Sequence, residues 1–261
     1  MFSHLSQCMR LLSLWLLFGV FAANANIQVI YLAPESQQET QAKQAILDSE
    51  VNLLLVELSK QHFPFKNKLT IRYGGDEGPL YDPQEHTMLM PYSFYNQALH
   101  YFEKNQYQEK FGRSAQSGAI DTILHTLLHE AGHAYIEDQS IPILGKEEDA
   151  VDNFAAVIML EYVEDGDNAA ISAADMFAFE SEDRPEYYQA DEYIGEHSFD
   201  LQRYFSTLCL VFGSDPQKHV DLLNEIDKDL LSERKDSCIS QYQVISNNWH
   251  IYLKNKDNTY F

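Results

Sequence analysis

Residues 27–32 alternate apolar with polar positions and are rich in β-branched side chains, which predicts a first strand. The period then lengthens: over 36–61, Ile46, Val51, Leu54, Leu55 and Leu58 recur at helical spacing. A second strand is expected at 68–73. The composition of Gly74-Gly75-Asp76-Glu77-Gly78-Pro79 marks a turn, and a third strand is expected at 85–91 with Met88 and Met90 on one face. From there the pattern is helical, with helices expected over 92–105, 119–137, 147–162, 169–180, 185–212, 216–232 and 240–253. This order predicts an α+β fold: a small N-terminal mixed β-sheet lobe with helices, then a mainly helical C-terminal lobe, with helix 119–137 at the junction.

The first 25 residues depart from this pattern. Arg10 precedes an apolar core from Leu11 to Ala22, and Ala23-Asn24-Ala25 is a small-residue cleavage site. Residues 1–25 therefore read as a secretory signal peptide, too short in its apolar part for the roughly 20 residues of a membrane span. The mature chain is expected to be 26–261, a single domain exported to the periplasm or the medium with no membrane anchor after cleavage. Cys8 would leave with the signal. Cys209 and Cys238 remain, and in an oxidising compartment they are expected to form a disulfide contributing roughly 3 to 4 kcal/mol. The formal charge of −22 argues against a nucleic-acid partner, because phosphates would be repelled.

The chemistry concentrates in helix 119–137, where His129-Glu130-Ala131-Gly132-His133 spells HExxH. Side chains four apart share one helical face, so both imidazoles can bind one zinc ion. Glu130 projects about 100° from His129 and can take a proton from the nucleophilic water as general base. Tetrahedral zinc then needs a third protein ligand. The HExxHxxGxxH pattern of metzincins is excluded, since Ile136 stands at its glycine position and Gln139 at its third histidine. His125 lies eight residues from His133, a helical rise of about 12 Å, and is read as a core or supporting residue.

A better donor lies downstream, in Glu147-Glu148-Asp149-Ala150-Val151-Asp152. Four acidic residues in six also suit a solvated helix start at the positive end of the helix dipole. Glu148 and Asp152, however, share a face. Glu148 is expected to bind zinc and Asp152 to accept the ring N–H of a ligating histidine. Ala131, Gly132, Ala155 and Ala156 would let the two helices approach closely.

With these residues the chain resembles the glutamate-type zincins, which are thermolysin-like in site logic. More closely it resembles a family of exported bacterial proteins whose name infers a metallopeptidase and whose domain is otherwise of unknown function. The resemblance rests on His129–Ala134, on Pro142–Asp152, on Glu196-His197-Ser198-Phe199-Asp200-Leu201-Gln202-Arg203 and on Cys209–Pro216, and it continues through Cys238 to near Trp249. It implies a zincin-like fold with one Zn2+ per chain, a peptide or protein substrate, and a strand near 85–91 close to the one that lines the substrate groove. His197 or Tyr193 could aim a donor at a developing oxyanion, giving His197 a catalytic role. The plainer reading is a hydrogen-bond cluster of His197, Asp200 and Arg203. The leading expectation is a zinc peptidase in which His129, His133 and Glu148 hold the metal. The alternative is a zinc-stabilised exported binding or scaffold protein with little or no catalysis.

Overall fold

The computed structural model describes residues 26–184 and 187–254, so the expected signal peptide lies outside the described residues. Strand β1 (Ile27–Tyr31) is the first element among the described residues, and the stripe expected to form one helix is split into α1 (Gln37–Asp48) and α2 (Val51–His62). The break has a local cause. Ser49 Oγ donates to Ile46 O, and Glu50 takes a left-handed φ of 56°. Strands β2 (Leu69–Tyr73), β3 (Leu80–Asp82) and β4 (Thr87–Met90) complete a four-stranded sheet in the order β1-β2-β4-β3. The first three neighbours run parallel and β3 runs antiparallel to β4. The sequence pattern missed β3, because three residues are too few to show a period.

Leu69, Ile71 and Tyr73 are buried on one face of β2, in register with Ile27, Val29 and Tyr31 and with Met88 and Met90. Helices α3 (Tyr92–Lys104) and α4 (Tyr107–Phe111) lead into α5 (Ala115–Gln139). This helix is the axis of the molecule: it packs against α2, α3, α4, β3 and β4 on the sheet side, and against α6 (Glu147–Tyr162) and α7 (Gly166–Glu182) on the helical side. Most of its 25 residues are buried, among them Leu127, Leu128, Ala131 and Ala134. Ser114 caps its start by accepting from Ser117 N–H. Asp138 fixes its end by accepting from the backbone N–H groups of Lys66 and Asn67 at 2.6 and 2.9 Å.

Gly132 faces Val151 and Phe154 of α6, and a Cβ there would meet Val151 at 3.0 Å. The close approach of the two helices is therefore set by one missing methyl group against a branched and an aromatic residue. Beyond α7 the expected helices are re-divided. The stretch 185–212 becomes a short α8 (Ala190–Tyr193) and α9 (Asp200–Ser214), with residues 185 and 186 outside the described residues. Polar residues Gly195 to Ser198 interrupt the stripe, and Gln202 Oε1 accepts from Phe199 N–H to start α9. Residues 216–225 form turns instead of a helix, with Asp215 Oδ1 accepting from the N–H groups of Gln217 and Lys218 at their start. A single α10 (Lys228–His250) follows, capped by Asp227. Cys209 of α9 and Cys238 of α10 form a disulfide within a small apolar cluster of Ala174, Leu208, Phe212 and Leu223.

One buried acid makes stability depend on pH. Asp175 of α7 accepts a hydrogen bond from Tyr107 OH at 2.7 Å, and burial pushes its carboxyl up from 3.8 to about 6. The folded state thus prefers the protonated acid. That contribution is complete below pH 4 and is lost as pH rises through 6. Asp175→Asn keeps the acceptor without the charge. We expect it to unfold at a higher temperature than the parent above pH 7, by up to about 2 kcal/mol, with the difference vanishing toward pH 4 in melts followed by circular dichroism.

Candidate metal centre

Helical pitch brings His129 and His133 to one face of α5, and the packing of α6 across that face brings the carboxylate of Glu148 between them. Its Oε2 lies 3.0 Å from His129 Nε2 and 3.4 Å from His133 Nε2. The three side chains each offer a donor atom within 4.8 Å of the others. Zinc bonds of about 2.0–2.2 Å in tetrahedral array hold their donors roughly 3.3 Å apart, so this nitrogen, nitrogen and oxygen set fits such an ion.

Each histidine is fixed from behind. His129 Nδ1 lies 2.7 Å from Asp152 Oδ1, and Asp152 is in turn gripped by Arg203 of α9, whose Nε and Nη2 donate at 2.7 and 2.8 Å. His133 Nδ1 lies 2.8 Å from Glu147 Oε1. A carboxylate behind a ligating imidazole sets its tautomer and leaves Nε2 to the metal. Sequence reasoning passed over Glu147 and gave Arg203 other partners. Glu147 directly precedes Glu148, but helical spacing alone gave no reason to turn it toward His133; Arg203 lies 51 residues from its partner.

His197 is carried by the segment between α8 and α9, which is docked onto the start of α6. Lys146 Nζ donates to the carbonyls of Gly195 and His197, and Ser198 Oγ donates to Asp149. The imidazole Nε2 thereby reaches 2.9 Å from Glu148 Oε2, yet His197 lies outside the converging triad. The plainer cluster of His197, Asp200 and Arg203 is not what forms: Asp200 pairs with Arg184, Arg203 with Asp152, and His197 with Glu148. Tyr193 is exposed and stacks edge-on against Phe199. His125 is buried four residues before His129, its ring beside that of His129 and not part of the triad.

The triad opens into a groove of about 820 Å³ whose walls are β3, α5, the start of α6 and the His197 segment. The strand at the groove is β3, through Leu80 and Tyr81, and it pairs with β4, whose four residues are all buried in the sheet. Glu130 lines the same groove. The model of the DUF4344 family, described as "Putative metallopeptidase", matches residues 31–253. The chain belongs to this family. No curated protein and no solved structure matches it.

The electrostatics of the family member's centre follow from burial against pairing. Burial works against the charged imidazole of His129, but hydrogen bonds with Asp152 and Glu148 outweigh it and raise the group to about 9. Burial also disfavours the carboxylates of Glu148 and Asp152, yet the histidines around Glu148, and Arg203 with His129 around Asp152, hold both well below the usual carboxylate range. Among the described residues Glu130 has no hydrogen-bonded cation, and burial outweighs the nearby histidines and pushes its carboxyl up. A cation at the triad replaces a proton on the ligands, so binding and pH are linked.

Two substitutions separate the supporting carboxylates. Asp152→Ala leaves Arg203 buried and unpaired, and is expected to cost about 3–5 kcal/mol in the metal-free protein and to lower zinc affinity about 10–100-fold. Glu147 is half exposed, with 48% of its side chain accessible, so Glu147→Ala should weaken zinc within that range while shifting stability by less than about 1 kcal/mol. Chelator competition and thermal melts of both variants measure the two effects.

Proposed function

We propose that this chain is an exported zinc-dependent peptidase of zincin-like architecture, built as one domain over residues 26–261. The observation that carries the reading is the convergence of His129, His133 and Glu148 at the floor of an open groove, with Glu130 beside them and outside the triad. Structural zinc sites are closed by four protein ligands, whereas catalytic sites use three and face a cleft. Bound there, zinc acts as a Lewis acid that acidifies a water and polarises a peptide carbonyl.

The remaining chemistry belongs to the chain. Glu130 removes a proton from the attacking water and delivers it to the leaving amine; burial, by raising its carboxyl, favours the uptake of that proton. His197 donates to the carbonyl oxygen as negative charge develops there, a role supported by its position in the groove beside Glu130. Asp152 and Glu147 keep the ligand imidazoles oriented. Peptides enter along β3, where Tyr81 OH donates to Glu137. Export is supported by the signal sequence and by the Cys209–Cys238 disulfide. Among the described residues no helix is long and apolar enough to cross a membrane.

A mixed peptide library incubated with the zinc-loaded protein tests the reading, with products identified by mass spectrometry. Cleavage is expected to stop with chelator and return with zinc. Glu130→Gln should keep one equivalent of zinc and the parent melting temperature while losing at least about 100-fold in rate. A folded protein that holds zinc and cleaves nothing would instead be the metal-stabilised scaffold.

A further inference from the structure

One carboxylate in the wall of the groove is held in place by groups that take no part in the metal centre. Glu137 stands four residues after His133 and eight after His129, so the three share one face of α5. Its side chain is therefore set one helical turn, roughly 6 Å, beyond His133 along the groove that all three line. Glu137 is exposed, and Tyr81 OH, reaching over from β3, donates to its Oε2 at 2.5 Å. Burial and the Glu137 charge push the Tyr81 hydroxyl up, so it keeps its proton. Because that proton points to Glu137, the 2.6 Å contact between Tyr81 OH and His86 Nδ1 has the imidazole as donor. A histidine fixes a tyrosine, and the tyrosine fixes the acid. Oε1 of Glu137 has no hydrogen-bond partner among the described residues.

The surroundings suit a cation at that oxygen. The groove is also lined by Glu130, Glu147, Glu148 and Glu196, and Lys146 is the one lysine or arginine in its walls. That ammonium is committed to the carbonyls of Gly195 and His197. The two charges of a zinc ion would offset Glu148 and Glu130, which leaves three acids against one lysine, and a cleft lined by one sign of charge draws the other. Pro79, Leu80 and Pro83 supply apolar surface in the same walls. A long basic side chain matches both, laying its apolar stem on such surface and keeping its charged head at the carboxylate.

We propose that Glu137 is a specificity-determining residue that pairs with the ammonium or guanidinium of a lysine or arginine in the substrate, so that the chain selects basic peptides. An extended peptide advances about 3.3 Å per residue, which puts the basic residue about two positions from the scissile bond. An acidic side chain at that position meets like charge and is rejected. The assignment rests on the peptidase reading for its meaning, but the pairing itself is measured by binding, without turnover.

The test uses the zinc-loaded full chain carrying Glu130→Gln, so that peptides bind and stay intact. Fluorescein-labelled alanine octapeptides place one arginine, its neutral isostere citrulline, or one glutamate at each position in turn, and fluorescence polarisation reads the affinities. At one position arginine is expected to bind about fivefold more tightly than citrulline in about 50 mM salt, the upper range of an exposed ion pair, and less so in about 0.5 M salt. Glu137→Gln should bring arginine and citrulline to equal affinity, and Glu137→Lys should turn the preference toward glutamate. Tyr81→Phe, which releases the carboxylate, should lower the arginine preference without abolishing it. Melting temperatures and zinc content show which variants are folded, and either Glu137 substitution serves if the other is not. Absence of peptide binding, no arginine preference at any position, the same preference at every position, or a preference that survives Glu137→Gln and so belongs to another acid would overturn the proposal. With Glu130 restored, the peptide library is expected to show lysine and arginine enriched at one fixed position relative to the cut. Arginine binding that depends on Glu137, without any peptide cleavage, would leave the pairing standing and remove the peptidase reading.

Discussion

The carboxylate of Asp152 is held from two sides, by the Arg203 guanidinium of α9 and by the His129 ring of α5, while its own backbone belongs to α6. Both charged side chains are largely buried, with 13% and 16% accessible, so neither can be left without the other. Desolvation makes such a pair a poor source of net stability, but an exacting constraint on geometry. Three helices must dock within hydrogen-bonding distance of one carboxylate, and only that docking sets the His129 ring so that Nε2 faces Glu148.

Around this point the fold divides its tasks. The sheet and α2 anchor α5 through Asp138 at its end and through the buried faces of β2 and β4. The missing side chain of Gly132 brings α6 in close enough for a glutamate to span both imidazoles. The acidic start of α6 then serves twice: the charges suit the helix dipole, and Glu147, Glu148 and Asp149 each hold a different partner, namely His133, the ligand face of both histidines, and Ser198. Lys146 and Asp149 thereby hold the His197 segment over the groove without an intervening secondary-structure element. A stretch that also suited a solvated acidic helix start is the junction of the site.

Much of the ligand logic was readable before any coordinates, because it depends on helical pitch. Positions four apart on one helix share a face in any context, so His129 with His133, and Glu148 with Asp152, could be paired by counting. The alternation of β1 and β2 and the bounds of α6 were legible for the same reason, since a local period leaves a local trace. Contacts between elements leave none. That Arg203 reaches Asp152 from 51 residues away, that Glu147 turns to His133, and that β3 borders the groove are consequences of rigid-body docking. The C-terminal helices were mis-divided: 216–225 form turns, and a single helix capped by Asp227 stands where two were expected. The sequence alone thus determined which donors a metal could find on each helix, and only the tertiary structure decided which groups hold those donors in place, because orientation across an interface depends on packing that no single stretch of chain contains.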